Sequence, residues 1–140
     1  MPYLEKIPLP KPSIEDAPFW EACHRHELVI QRCTNCRTFR HTPTPVCYNC
    51  QSFDFEWVKV SGKGTVFTYT NVAHPVHPAL KERVPFNLVI VELPDAGNVR
   101  LAGNVIDTPF EELYIGMPVE VIFEDYPEGA TLPRFKRADR

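Results

Sequence analysis

The stretch Leu28-Val29-Ile30-Gln31-Arg32-Cys33-Thr34-Asn35-Cys36, followed after ten residues by Cys47-Tyr48-Asn49-Cys50, runs a β-branched, apolar segment straight into the first of two Cys-x-x-Cys pairs. Each pair turns back on itself tightly enough for two sulfurs to converge, and two such knuckles supply the four thiolates of a tetrahedral metal site. Cys33, Cys36, Cys47 and Cys50 are therefore the expected metal ligands, and a strand entering a knuckle is the arrangement of a metal ribbon. Zinc suits a closed site of four sulfurs because it carries no redox chemistry and no d-electron preference for geometry; rubredoxin-like iron is the rival. With every position filled by protein, no valence remains for an activated water or a substrate oxygen, so the ion is expected to hold the fold rather than to catalyse. A redox disulfide would need a single Cys-x-x-Cys at a helix start. Arg32, Arg37 and Arg40 lie among these cysteines with no acidic neighbour, which fits either an anionic ligand or charge balance around a dianionic metal-thiolate centre.

On the N-terminal side, residues 1–11 are rich in proline and lack any sustained period, which reads as an extended arm. Ser13 or Asp16 is a candidate cap for a helix that takes Pro18 in its first turn and gathers Phe19, Trp20 and Cys23 on one face. Cys23 beside His24 and His26 invites a nucleophile reading, but adjacent positions on a helix do not face each other, and a lone cysteine next to Trp20 fits a small core hydrophobe.

On the C-terminal side, Phe53, Phe55 and Trp57 alternate with Asp54 and Glu56, the period of a strand with one buried face. Residues 61–64 read as a hairpin turn, residues 65–72 and 86–93 as long strands, and residues 99–106 as the partner of the latter across a Pro-Asp-Ala-Gly-Asn turn. Thr108-Pro109-Phe110-Glu111 carries the cap, proline and acidic position of a short helix, after which residues 119–123 and 131–136 supply two more strands. Five strands with a helix before the last pair make a small Greek-key barrel of the OB type. The expected fold is thus mainly β: arm, helical segment and rubredoxin-like zinc ribbon over residues 1–60, then a five-stranded OB-fold barrel over residues 61–140.

The 140 residues include 15 prolines, which argues against a helical bundle, while 44% hydrophobic and 24% charged residues are ordinary for a globular chain. No stretch is apolar for the roughly 20 residues that span a bilayer, no secretory core follows Met1, and paired cysteines suit a reducing compartment, so no membrane partner and a cytoplasmic location are expected. An OB barrel raises single-stranded nucleic-acid binding as an alternative, with Phe67 and Tyr69 as stacking residues. Against it, residues 82–128 hold ten acidic side chains and only Arg83 and Arg100 as basic ones, a balance that repels a polyanion. His74 and His77 could serve as the base of a thioesterase, although flanking prolines fit a plain rigid loop. Gly62-Lys63-Gly64 is too short for a phosphate loop.

Taken together, Pro18-Phe19-Trp20, the four cysteines and Gly62-Lys63-Gly64-Thr65-Val66-Phe67-Thr68-Tyr69-Thr70 resemble a known family, and the likeness continues through Pro85-Phe86, Val91-Glu92-Leu93, Gly116-Met117-Pro118-Val119 and Pro133-Arg134-Phe135. It is the group of small prokaryotic proteins, long called domain of unknown function thirty-five, in which a rubredoxin-like zinc ribbon precedes an acyl-CoA-associated OB fold. The resemblance implies an accessory subunit without catalytic residues of its own, assembled in a hetero-oligomer of acyl-CoA (lipid) metabolism with a thiolase-like enzyme: a thiolase, acyltransferase or aldolase. It also implies that the barrel helps hold the coenzyme A part of an acyl-CoA, whose phosphates and adenine a few cations and an aromatic face can grip. Lys59, Lys63, Lys81, Arg83, Arg134, Lys136 and Arg137 are the candidate cations, and Phe67, Tyr69 or Phe135 the candidate stacking residues.

Overall fold

The structure, a computed structural model, describes residues 8–139; most of the expected N-terminal arm, residues 1–7, lies outside the described residues. The helix α1 spans Ala17–His24. Asp16, not Ser13, occupies the N-cap position, but without a side-chain cap bond: its carboxylate turns back to accept from the Ser13 N–H and hydroxyl, and Ala17 N–H donates to the Ser13 carbonyl. Phe19, Ala22 and Cys23, spaced three and four apart, are buried. The helix ends where the Arg25, His26 and Glu27 N–H groups fold back onto Ala22 and Cys23, with His26 in the left-handed region at φ 58°.

That reversal delivers the chain into β1 (Leu28–Cys33), which pairs antiparallel with β2 (Phe39–Arg40) on one side and β3 (Phe55–Val60) on the other. All of β1 except Arg32 is buried, with Leu28 and Ile30 in the core on one face and Gln31 bonded to Thr44 on the other. On that second face Thr44 N–H donates to Gln31 Oε1 and Arg40 Nη2 donates to the Thr44 carbonyl. The expected buried face of β3 holds only for Trp57, half-buried against the core: Phe53, before the strand, is 72% and Phe55 41% exposed, while Val60 is buried. Val58 and Val60 lie opposite Ile30 and Leu28, and Val60 enters the core; Trp57 and Val58 are both half-buried against it, while Phe55 lies opposite Cys33.

Residues 61–62 are not a hairpin turn. They carry the chain from the ribbon sheet to a second sheet, since β3 pairs with β1 whereas β4 (Lys63–Val72) pairs with β5 (Phe86–Leu93) and β7 (Pro118–Asp125). Gly62, at φ 79°, makes the bend where any Cβ would fall 2.1 Å from the Val121 side chain, and Ser61 N–H is held by Asp95 at 2.8 Å. With β6 (Val99–Gly103) and β8 (Thr131–Arg137), the five-stranded sheet runs β6-β5-β4-β7-β8. It curls until Val105 bridges Phe135, which closes the OB-type barrel. The expected helix after Thr108 is one 3₁₀ turn, Phe110–Glu112; Thr108 is no cap, because its hydroxyl donates to the Ile106 carbonyl inside the fold.

Inward-facing Val66, Val89, Val91, Leu93, Leu101, Val119 and Phe135 share one continuous core with Phe19, Cys23, Leu28 and Ile30, so ribbon and barrel are packed as one body. A second tie is polar. Thr131 Oγ1 donates to Asp125 at 2.6 Å and lies 3.2 Å from His24 Nδ1, while His26 Nε2 is 2.9 Å from the other Asp125 oxygen. The Cys23-His24-x-His26 motif is therefore a junction, and burial pushes the Cys23 thiol up to about 12, which makes it inert as a nucleophile. Among the described residues no helix is long and apolar enough to cross a membrane.

Candidate metal centre and barrel cavity

Four sulfurs about 2.3 Å from one ion stand about 3.8 Å from each other in a tetrahedron. Here Cys33 and Cys50 Sγ are 3.6 Å apart, Cys36 and Cys47 Sγ are 3.6 Å apart, and all four sulfurs lie within 4.8 Å of one another. The donor set fits a single tetrahedral ion and is too widely spaced for disulfides. Each knuckle is closed by its own backbone: Arg37 N–H returns to the Cys33 carbonyl and Gln51 N–H to the Cys47 carbonyl, with Arg37 and Gln51 both in the left-handed region. The Asn49 amide and then the Thr38 hydroxyl bring the Cys36 thiol down to about 5, and the Cys36 N–H lowers that of Cys33, so the first knuckle favours its two thiolates. The ribbon arginines do not gather around a ligand: Arg32 pairs with Glu56, Arg37 lies 3.8 Å from the same carboxylate, and Arg40 is buried with its guanidinium over the Phe55 ring.

A cavity of about 690 Å³ opens at one end of the barrel, between residues 80–87, residues 104–110 and the ends of β4, β7 and β8. OB folds take their ligands at this end of the barrel, beside the loop between the first two strands and the loop between the last two. Asn87 builds it. This buried amide interrupts an apolar strand, donates to the Val105 and Thr108 carbonyls at 2.9 and 3.3 Å, and accepts from Val105 N–H at 2.8 Å, which pins residues 104–108 as a strap alongside β8. Asn104 donates to the Asn87 carbonyl and accepts from Arg134, whose other arm donates to the Tyr126 hydroxyl at 2.8 Å. Phe110, 36% exposed and held edge-on by Tyr69 at 5.6 Å, forms part of the wall with Phe86.

Of the residues singled out from sequence for coenzyme A, the cavity brings together Arg83 and Arg134, with Tyr69 behind Phe110. The others lie elsewhere. Lys63 and Lys136 flank Glu120 in one cross-strand row, Lys59 is 3.8 Å from Glu27, and Lys81 is exposed after the 3₁₀ turn Pro78–Leu80. Arg137 is held by Asp139 and Glu112. Phe67 projects from a β-bulge and carries the Arg100 guanidinium 3.8 Å above its ring. Phe135 is corrected outright: it is 0% exposed, its ring under Gly103, so it stacks on no ligand. His77 caps its own turn by accepting from Ala79 N–H, and neither His77 nor His74 lines the cavity. Sequence reasoning missed Asn87, Asn104, Asp107, Phe110 and Tyr126; only Asn87, a lone amide in an apolar run, left a signal.

Two family models match in tandem, the ChsH2 rubredoxin-like zinc ribbon domain over residues 20–56 and the ChsH2 C-terminal OB-fold domain over residues 57–124. A DUF35 domain-containing scaffold protein of Methanocaldococcus jannaschii is 35% identical over 117 residues, which cover 80% of this chain and 81% of the relative. The chain belongs to the DUF35 family. Among solved structures, this DUF35 chain superposes on one named an Ltp2-ChsH2(DUF35) aldolase with a TM-score of 0.81 and 38% identity, covering 91% of this chain and 98% of that one. A probable enoyl-CoA hydratase alpha subunit of Thermomonospora curvata is 40% identical over 131 residues, 92% of this chain but only 40% of the relative, so the chain spans about two fifths of that subunit.

Proposed function

We propose that this protein is a non-catalytic subunit that assembles with a thiolase-like acyl-CoA enzyme and helps hold the coenzyme A part of its substrate, the chemistry residing in the partner. The observation that carries the reading is the near-complete correspondence with the DUF35 chain of a solved aldolase, joined by relatives named as hydratase alpha subunits and as a scaffold. The site chemistry agrees. Four thiolates complete the shell of a ribbon zinc, and among the described residues the cavity lining pairs no nucleophile with a base. The single-strand alternative is disfavoured by charge: Glu124 and Asp107 line the cavity, and Arg100 already occupies the Phe67 face.

Purification of the tagged chain from its native source, with mass-spectrometric identification of what travels with it, tests the assembly. A thiolase-fold enzyme in stoichiometric amount is expected. Elution of the chain alone, together with salt-sensitive binding of short oligonucleotides, would refute the proposal.

A further inference from the structure

A second cavity, of about 340 Å³, lies on the seam between ribbon and barrel, between residues 40–48 and Val99 at the start of β6. It shares no lining residue with the barrel cavity. Arg40, only 4% exposed, lines it. Its Nη2 donates to the Thr44 carbonyl at 3.0 Å, but Nε and Nη1 are buried with no hydrogen-bond partner among the described residues. Arg32 and Arg37 share the Glu56 carboxylate, whereas no carboxylate among the described residues pairs with Arg40, and residues 28–53 contain no Asp or Glu. The Phe55 ring, 5.5 Å from the guanidinium carbon, offsets part of the burial of this charge, yet a cation–π contact leaves the N–H groups without acceptors. A buried guanidinium with open N–H bonds is costly, and the group that removes the cost is an anionic acceptor.

The rest of the lining sets the charge and size of that acceptor. Thr42, Thr44 and Tyr48 bring hydroxyls, and burial holds the His41 imidazole down to about 4, so it is neutral at pH 7. The lining therefore carries one positive charge. A monoanion balances it, whereas a phosphate dianion would keep one charge uncompensated in a partly enclosed site. Val99 and the Tyr48 ring add apolar wall for a short carbon skeleton, and the volume falls at the lower end of the usual range for small-molecule sites. We infer that the seam cavity is a carboxylate site, in which Arg40 binds the monoanion of a small organic acid whose carbon chain rests against Val99 and Tyr48. The inference is independent of the coenzyme A reading. Because Arg40 belongs to the ribbon and Val99 to the barrel, the bound acid touches both halves of the molecule and stabilises the folded chain.

Nuclear magnetic resonance of the zinc-loaded, nitrogen-15-labelled full chain tests the assignment, with the arginine Nε–H signals followed at constant ionic strength. The Arg40 signal is identified by its absence from Arg40→Lys. The probes are propionate, its neutral isostere propionamide and inorganic phosphate. Propionate should move the Arg40 Nε–H proton downfield in a saturable way and bind at least about tenfold more tightly than propionamide or phosphate, the scale of one charge-assisted hydrogen bond. Tyr48→Glu sets a like charge at an exposed position of the lining and should weaken propionate by about tenfold or more, with the melting curve of the ligand-free chain unchanged. Should that curve differ, Thr42→Glu, at a second exposed lining position, takes its place. An Arg40 signal that propionate leaves unmoved, so that water alone fills the cavity, would overturn the site. Equal binding of propionate and propionamide, tighter binding of phosphate, or propionate binding that survives the introduced glutamate unchanged would overturn it as well.

Discussion

Asn87 is the single side chain on which the cavity most depends, because one amide satisfies three backbone groups of the strap. Asn87→Ala should lower unfolding free energy by at least about 2 kcal/mol in urea titration, the cost of leaving buried backbone groups unpaired; an unchanged midpoint would show that the strap stands without it. His41 offers a second residue-scale test. Its imidazole lies 5.4 Å from the Phe19 ring, and burial pushes it down to about 4, well below the ordinary histidine range. Between that value and about 6.5 the unfolded chain binds the proton that the folded chain refuses, so stability falls as pH drops through this window, by up to about 3 kcal/mol. His41→Gln should flatten that acid slope in denaturant titrations at successive pH values. An identical slope would place the acid sensitivity elsewhere.

At the scale of elements, the metal knuckles were legible because their signal is local: four cysteines at two fixed spacings require nothing from distant sequence. The five barrel strands were legible through alternation and turn residues. Which apolar residue of β3 enters the core was not legible, since both parities carry apolar residues, and only pairing with Leu28 decides for Val60. Phe135 illustrates the converse. Its setting in Arg134-Phe135-Lys136-Arg137 draws attention to charge, yet the two-residue period of β8 turns Phe135 inward to the core and leaves Lys136 exposed. The cavity was legible only in fragments, because its walls come from segments joined by barrel closure, and isolated amides carry no spacing. Metal removal probes the ribbon as an element: after chelation, hydrogen exchange should accelerate first in β2 and residues 33–54, while β4 and β5 keep their protection. Exchange unchanged by chelation would deny the ion its structural role.

For the whole molecule, one continuous core and the His24-Thr131-Asp125-His26 tie make ribbon and barrel a single rigid body. A single packed body with a four-thiolate metal site and a preformed cavity is suited to the proposed role, holding and orienting a ligand for chemistry performed by another chain. The acid-rich half of the barrel, with Arg83 and Arg100 as its only cations, is also suited to a partner surface of opposite charge rather than to a nucleic acid. The division of labour is tested most directly by turnover. The zinc-loaded chain, its co-purified partner and the two together are assayed against a common panel of acyl-CoA thioesters. No product is predicted from this chain alone, and the rate of the partner should rise when the chain is restored. Sustained turnover by the isolated chain, free of any partner by mass spectrometry, would contradict the account.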